Sequence, residues 1–466
     1  MAEFKKVKFV SDGMACVDGV EIPYRAVSEN FPIVNEFGDV DATMFAFGYE
    51  RTGLETSDGR PVLFAWNGGP GCGSLFVHMG LLSPMRISDT GPDMAQTAPF
   101  RLMNNDACLL DVCDVVALDA VGTGYARLLN REAKETYCST QKDAEAFIQC
   151  IRAWLTEHKR WNSPIYIMGE SFGTIRNAMI AEQIFYGSGI DCAGGALHLS
   201  GIIMLGSALD HGQDSFPVPK AVLNLPSMAA ANWYWHRDGK GSLAEFVDEC
   251  DRFCCDEYMR ALLLGRRLPD SEREDIARKL SRYTGYPVDV ILKNGLNVDV
   301  FKYPASALAA EGKSIGLYDA RFSLAEYTRP EDYDFFSDDA SNAICMPAFS
   351  VGFNGLWKDR LGIDLDEEYV EIWNAGERIW NYHTDVSPIR CLENAMHRNP
   401  RLRVMFGVGY YDMLTTLGWV RYFLSHYDIP PERASVRCYE AGHMPYLGDK
   451  TATELINDIK AFILER

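Results

Sequence analysis

The sequence predicts an α/β fold in which helices cover both faces of a central, mostly parallel sheet. From residue 61 onward, short and almost wholly apolar runs alternate with amphipathic stretches, as in buried parallel strands separated by helices. The chain has 466 residues, of which 47% are hydrophobic and 12% aromatic, so it can bury a large core. These two observations favour one large sheet domain.

The first 50 residues differ from this pattern, because apolar and polar side chains alternate there with the period of antiparallel strands. Two amphipathic stretches, 140–154 and 174–185, are predicted helices. The apolar runs that we assign to the main sheet are 62–66, 112–119, 165–168, 201–205, 402–407 and 436–439.

Residues 221–349 interrupt the alternation of strands and helices. This region has helix-like stretches at 242–264 and 271–282 and few strand-like runs. We therefore predict a core formed by residues 1–220 and 350–466, with a helical cap inserted at 221–349.

Charge and composition exclude several classes of partner. The net charge of −20 repels nucleic acids and anionic lipid surfaces, and the longest nearly apolar stretch, 199–209, is too short to span a bilayer. We expect no nucleic-acid or membrane partner. The N-terminal residues lack a secretory-signal pattern, and the thirteen cysteines are scattered, as is typical of reduced thiols. We therefore expect a cytoplasmic location.

A serine between two glycines is the first candidate for chemistry. The sequence GESFG, residues 169–173, lies between the predicted strand 165–168 and the predicted helix 174–185. A G-x-S-x-G pattern at a strand-to-helix turn is typical of the nucleophile elbow of α/β-hydrolases. The helix N-terminus behind the serine favours the negative charge that develops during attack. We therefore predict that Ser171 is a nucleophile.

An elbow serine needs an orienting acid and then a base later in the chain. Asp412 follows the predicted strand 402–407, and His443 follows the predicted strand 436–439 in a glycine-containing loop. In this interpretation His443 takes the proton from Ser171, while Asp412 fixes the tautomer of the imidazole.

Other histidines compete for the role of the base. His383 is the strongest rival, but it precedes Asp412 instead of following it. His158, His397 and His426 lie in or beside helix-like segments, so we expect them at the surface.

A glycine-rich stretch, WNGGPG at residues 66–71, follows the predicted strand 62–66. Glycine adopts positive φ without steric cost and lets another backbone or a ligand come close. From the residues alone, a tight turn and a binding loop both stay open.

Taken together, these motifs resemble the serine carboxypeptidases, and most closely the bacterial branch of that family. The motifs span residues 60 to 450 in the family's order. They are WNGGPGCGS at 66–74, LDAVGTGYAR at 118–127, GESFGT at 169–174, LPSMAAANWYW at 225–235, GYYD at 409–412 and AGHM at 441–444. The resemblance implies an α/β-hydrolase fold with a helical insertion over the site.

The resemblance also implies catalytic roles, residue by residue. Ser171 matches the nucleophile, Asp412 the orienting acid and His443 the base. The backbone N–H groups of Gly69 and Phe172 match the oxyanion hole. Phe172 stands where tyrosine is usual, which leaves a backbone donor unaffected.

A substrate-binding role is implied for Asn67, Gly68 and Glu170, which match the residues around the C-terminal carboxylate of the substrate. Two carboxylates face each other only if one is protonated, so this role predicts activity at mildly acidic pH. Many members carry a second glutamate where this chain has Leu81. Candidates for a compensating charge are Arg86, Arg127 and Arg176.

These inferences predict a serine-type carboxypeptidase that hydrolyses the C-terminal peptide bond of peptides through an acyl-enzyme. A small-molecule amidase, an esterase or an acyltransferase would use the same triad and stays open as an alternative. A catalytically inactive binding protein on the same fold is a further alternative.

The expected partner is therefore a peptide or a small-molecule amide or ester substrate, and a homodimer stays open. We expect no cofactor, because the glycine-rich residues 121–126 lack the third glycine and the later acidic residue of a dinucleotide site. We expect no metal, because no H-E-x-x-H motif occurs.

Overall fold

In a computed structural model, a sheet of nine strands forms the centre of the described part of the protein. The structure describes residues 4–88, 90–92, 98–130, 132–186, 197–209, 218–236, 241–325 and 338–465. In these residues the strands are β1 Lys8–Val17, β2 Val20–Val34, β3 Val40–Arg51, β4 Val62–Trp66, β5 Met85–Ile87, β6 Leu102–Asn104, β7 Asp114–Asp119, β8 Ile165–Glu170, β9 Leu199–Leu205, β10 Lys313–Ile315, β11 Ser323–Ala325, β12 Arg403–Gly409 and β13 Ala434–Tyr439.

The order of strands in the main sheet is β1-β2-β3-β7-β4-β8-β9-β12-β13. The first three strands form an antiparallel meander, and β3 pairs antiparallel with β7. All pairs from β7 to β13 are parallel. Strands β4, β7 and β8 are buried at every residue, which explains their continuous apolar runs.

Helices cover both faces of this sheet, and the buried side chains form one core on each face. The helices of the described residues are α1 Leu75–Val77, α2 Glu132–Tyr137, α3 Thr140–Glu157, α4 Phe172–Tyr186, α5 Lys220–His236, α6 Leu243–Phe253, α7 Met259–Leu264, α8 Asp270–Thr284, α9 Val288–Lys293, α10 Tyr303–Ser306, α11 Ala340–Gly352, α12 Lys358–Arg360, α13 Asn374–Glu377, α14 Pro388–Arg398, α15 Leu417–His426 and α16 Asp449–Leu464. The predicted α/β class with a mostly parallel sheet is confirmed.

The predicted insertion, residues 221–349, contains most of α5 and of α11 and all of α6 to α10, together with the small hairpin β10–β11. The division of the chain at residues 220 and 350 stays a prediction. Helix α5 packs closely on the core, because Gly418 of α15 faces the Leu223 carbonyl where a Cβ atom would clash. Among the described helices, none has the length and apolarity to cross a membrane.

His158, expected at the surface, is instead enclosed at the end of α3, with only 7% of its side chain exposed. Its ring stacks on Trp154 at 4.2 Å between centroids. Its Nε2 lies 2.6 Å from Glu29 Oε1 and its Nδ1 lies 2.7 Å from Glu50 Oε1. Burial opposes the charged ring, but the two carboxylates outweigh burial and raise the pKa of His158 to about 9. The charged ring thus joins α3 to β2 and β3.

We predict that His158→Gln destabilises the protein by about 1.5–3 kcal/mol near pH 6, because the buried Glu29 carboxylate loses a charged hydrogen-bond donor and keeps Lys6 and Lys8 as its cationic partners. A group whose pKa is raised in the folded protein stabilises it fully at pH values below the pKa of the same group in the unfolded chain. For histidine that unfolded-state pKa is about 6.5. The stabilisation disappears as pH rises through about 9. Urea unfolding at pH 6 and pH 10 should therefore show a large difference between the variant and the wild type only at pH 6.

The matched control is His397→Gln, because His397 is an exposed histidine 3.2 Å from Asp428. This variant should cost less than about 1 kcal/mol at either pH. Equal costs for the two variants at pH 6 would contradict the role of His158.

Candidate active site

Ser171 occupies the turn between β8 and α4 in a left-handed backbone conformation, with φ of 58°. Its N–H donates to the Leu205 carbonyl at the end of β9, at 2.9 Å. A Cβ atom on Gly169 would lie 2.1 Å from the Gly173 carbonyl oxygen, so the first glycine of the motif is sterically required. Positive φ at a serine is strained and is a feature of functional turns. The geometry is that of a nucleophile elbow.

Asp412 lies just beyond β12 and is fully buried. Its Oδ1 accepts the N–H groups of Leu414 and Thr415 at 2.8 and 2.9 Å. Its Oδ2 accepts the Thr415 hydroxyl and lies 2.9 Å from His443 Nδ1. These donors hold the carboxylate in one orientation toward the imidazole, as an orienting acid requires.

His443 follows β13, and its ring has one bonded and one free nitrogen. Nδ1 faces Asp412, whereas Nε2 is buried and has no hydrogen-bond partner in the described part of the chain. The ring lies against Gly206, where a Cβ atom would come within 2.9 Å of it. Gly206 directly follows Leu205, the hydrogen-bond partner of Ser171. Ser171 and His443 therefore both contact the end of β9, at residues 205 and 206.

The environment of His443 favours its charged form. Burial lowers the pKa of the imidazole, but the carboxylates of Asp412 and Glu170 outweigh burial, so the pKa is raised above its usual value. A buried imidazole with a raised pKa and an unbonded Nε2 is suited to accept a proton. The rival His383 is 79% exposed and lies 3.8 Å from Asp385, away from these contacts.

The predicted oxyanion donors come from two loops in close contact. A Cβ atom on Gly68 would lie 2.5 Å from the Phe172 amide nitrogen, so Gly68 allows the glycine-rich loop to touch the elbow. Gly69 has φ of 104°, which disfavours other residues. Within the described residues, neither the Gly69 nor the Phe172 N–H donates a hydrogen bond. Both donors therefore have unused capacity.

Asn67 and Glu170, predicted to bind a carboxylate, form a buried pair. Asn67 Nδ2 donates to Glu170 Oε1 at 2.7 Å, and its Oδ1 accepts the Val77 N–H at 3.0 Å, which fixes the orientation of the amide. Burial raises the pKa of the Glu170 carboxyl, despite the nearby His443 and the hydrogen bonds that it accepts. Glu170 thus remains protonated to higher pH than a solvated glutamate.

Leu81 and the three arginines do not supply a further charge to this pair. Leu81 is fully buried in the core, in the π-helical turn His78–Leu82. Each arginine pairs with another carboxylate instead. The pairs are Arg86 with Asp449 at 2.8 Å, Arg127 with Glu367 at 2.8 Å and Arg176 with Asp143 at 2.5 Å. Arg176 has a structural link to the site, since its Nη1 donates to the Asn67 carbonyl at 2.9 Å.

A segment to which no sequence pattern pointed joins both loops of the Asp412–His443 pair. The N–H of Ala320 donates to the Tyr411 carbonyl at 3.1 Å, and the N–H of Met413 donates to the Leu317 carbonyl at 3.1 Å. The Tyr318 carbonyl accepts the His443 N–H at 2.7 Å. Residues 317–322 therefore fix the spacing of the two loops.

A buried ion pair stabilises this segment. Arg321 Nη2 lies 2.6 Å from Asp319 Oδ2, and its Nη1 donates to the Glu440 carbonyl at 2.9 Å. Asp319 Oδ2 also accepts the N–H of Gly442, directly before His443, at 3.2 Å. No periodicity or motif in the sequence indicated the contacts of Arg321 with Glu440 and of Asp319 with Gly442, which join residues more than 100 positions apart.

In the described residues no cluster of three or more His, Cys, Asp or Glu side chains could hold a metal ion. The cysteines of these residues are free thiols.

Comparisons with known structures define the class of fold. A prohormone-processing carboxypeptidase from Saccharomyces cerevisiae aligns over 94% of this chain and 91% of its own, with 14% identity and a TM-score of 0.57. A proline iminopeptidase from Mycobacterium smegmatis aligns over 97% of both chains, with 16% identity and a TM-score of 0.35. The sheet, its helices and the first of these alignments confirm the α/β-hydrolase fold.

The comparison with protein families gives a match to one family. Residues 34–251 match the family model of the serine carboxypeptidases, which confirms the resemblance over that part of the chain. No curated protein matches the sequence. The family match and the fold together support a hydrolase. Asp412 and His443 lie beyond the matched residues, so their assignment depends on the geometry described above.

We predict that Arg176→Met destabilises the protein by about 3–5 kcal/mol, because it leaves the buried Asp143 carboxylate uncompensated. Adding Asp143→Asn should recover part of this loss by removing the buried charge. Urea unfolding of the two variants measures both effects. The control is Arg278→Met, whose exposed pairs with Glu274 and Asp275 should contribute less than about 1 kcal/mol. A similar cost for Arg176→Met and the control would contradict the prediction.

Proposed function

We propose that this protein is a serine-type carboxypeptidase. The observation that carries the proposal is the buried Asn67–Glu170 pair, in which the acid directly precedes Ser171. Acyl transfer as such requires only a nucleophile, a base and oxyanion donors. A buried acid with a raised pKa beside the nucleophile has a further use, which is to hold the free carboxylate of a substrate.

In the proposed reaction, Ser171 Oγ attacks the carbonyl carbon of the last peptide bond as its proton passes to His443 Nε2. The N–H groups of Gly69 and Phe172 donate to the oxyanion of the tetrahedral intermediate. His443 then protonates the leaving amine, the C–N bond breaks, and an acyl-enzyme remains. Water attacks the acyl-enzyme by the same route and regenerates Ser171, while Asp412 stabilises the imidazolium in both steps.

Binding of the terminal carboxylate would position the scissile peptide bond at Ser171. Asn67 and Gly69 belong to one loop, and Glu170 and Phe172 flank the nucleophile, so the groups that bind the carboxylate adjoin the oxyanion donors. A substrate held at both places has its last peptide bond at Ser171. A protonated Glu170 donates a hydrogen bond to the carboxylate, whereas an ionised Glu170 repels it.

The alternative is a small-molecule amidase, an esterase or an acyltransferase with the same triad. The observation that favours it is Leu81, an apolar and buried residue where many serine carboxypeptidases have a second acid. A weaker carboxylate site would suit substrates without a free carboxylate.

A substrate panel distinguishes these activities. We expect N-blocked dipeptides to be hydrolysed with a kcat/KM at least tenfold above that of their C-terminal amides, because only the acids engage Asn67 and Glu170. Equal turnover of acid and amide would exclude the carboxypeptidase. Ser171→Ala should lower kcat by about 10⁶-fold and abolish labelling by a fluorophosphonate probe. The control Ser306→Ala removes an exposed hydroxyl of α10 and should change neither readout.

The proposal also predicts how pH affects binding. For a dipeptide acid, KM should be lowest at acidic pH and should rise as pH passes the raised pKa of Glu170, since ionised Glu170 repels the substrate carboxylate. For the matching ester, KM should be nearly independent of pH. Its kcat/KM should decrease as pH is lowered through the pKa of His443, which is raised above 6.5. Glu170→Gln should remove the pH dependence of KM for the acid. Parallel KM profiles for acid and ester would refute this role of Glu170.

A further inference from the structure

The proposed carboxylate-binding residues of this chain lack the second acid that many serine carboxypeptidases have, and Leu81 cannot replace it because its hydrocarbon side chain has no polar atom. Asn67 Nδ2 and Glu170 are thus two of the groups around the proposed carboxylate position. A hydrogen-bond donor from another part of the chain lies beside them.

That donor is the hydroxyl group of Tyr446. It lies 3.4 Å from Asn67 Nδ2 and so close to Glu170 that the glutamate charge contributes to raising the pKa of the phenol. Burial makes the largest contribution to this shift, which keeps the phenol protonated and able to donate. The side chain of Tyr446 is fully buried.

Gly80 creates the space for this ring. A Cβ atom at residue 80 would lie 2.6 Å from Cδ2 and 2.8 Å from Cε2 of Tyr446, closer than packed atoms approach. Gly80 directly precedes Leu81, so the tyrosine ring lies against the turn where relatives carry the acid. An aromatic ring thus fills space beside the position of the missing glutamate.

Tyr446 lies in the loop of residues 443–447, and hydrogen bonds fix this loop at both ends. The N–H of His443 donates to the Tyr318 carbonyl at 2.7 Å. Arg321 Nη2 donates to the Leu447 carbonyl at 3.3 Å, and the N–H of Leu447 donates to the Met444 carbonyl at 3.0 Å. The phenol is therefore presented by a loop whose position is fixed before substrate arrives.

We propose that Tyr446 completes the carboxylate-binding site in place of the second acid, its hydroxyl donating to one oxygen of the terminal carboxylate beside Asn67 and Glu170. This inference rests on the proposed carboxypeptidase function. The ligand class is a peptide or an N-acyl amino acid with a free α-carboxylate. Tyr446 determines specificity and takes no part in proton transfer to or from Ser171.

The test compares an N-blocked dipeptide acid with its methyl ester in the wild type and in Tyr446→Phe. The variant should raise KM for the acid by about 10- to 100-fold, the range expected for losing a hydrogen bond to a charged group. KM for the ester and kcat for both substrates should stay within about twofold. The control Tyr258→Phe removes another buried hydroxyl, which donates to the Leu296 carbonyl in the predicted insertion, and should change no constant.

The outcomes separate this inference from the proposed function. If the wild type does not prefer the acid to its amide, the carboxypeptidase proposal fails. If the wild type prefers the acid and Tyr446→Phe keeps that preference, only the role of Tyr446 is overturned. Gly80→Ala tests the role of Tyr446 in a second way, because the added Cβ atom displaces the ring and leaves its hydroxyl group present. This variant should also raise KM for the acid and leave KM for the ester unchanged. Binding can also be measured directly, by titrating an N-blocked amino acid onto Ser171→Ala with and without Tyr446→Phe. Loss of the Tyr446 hydroxyl should raise the Kd by about 10- to 100-fold.

Discussion

A carboxyl group enclosed by protein, as at Glu170, becomes charged only at a cost in free energy, and the groups around it respond to its charge. When Glu170 is ionised, it helps to raise the pKa of His443 and of Tyr446. When Glu170 is protonated, that contribution disappears, so the base loses its proton more easily. The acid that would hold the substrate is thus electrostatically coupled to the base that would activate the nucleophile, and the two do not titrate independently.

The sheet brings these groups together although they are distant in the sequence. Parallel strands have their carboxyl ends at one edge, and the loops after β4, β8, β12 and β13 all leave from that edge. The elbow after β8 touches the glycine-rich loop after β4 at Gly68. This arrangement requires small residues at the contact, which is why the glycines are clustered there.

The features predicted from the sequence were those with a local signal. Strand β4 agrees with its apolar run to the residue, whereas β7 begins at Asp114, later than its run, because residues 109–111 form a 3₁₀ turn. The turn at Ser171 was predictable because its glycines and its flanking strand and helix are adjacent in sequence. The buried position of His158 and the role of Arg321 were not predictable, because both depend on partners brought together by the fold.

Residues 317–322 have a consequence for how chains of this fold can be recombined. They lie within the region predicted as the insertion, yet they form hydrogen bonds with the loops of both Asp412 and His443. A cap transplanted from a relative at residues 221 and 349 would replace this segment and leave the two loops without their shared support. A chimaera that keeps residues 317–322 with the recipient would exchange the surrounding helices and leave the loops of Asp412 and His443 with their hydrogen-bond partners. The segment that can be exchanged without loss of these hydrogen bonds is therefore shorter than the predicted insertion.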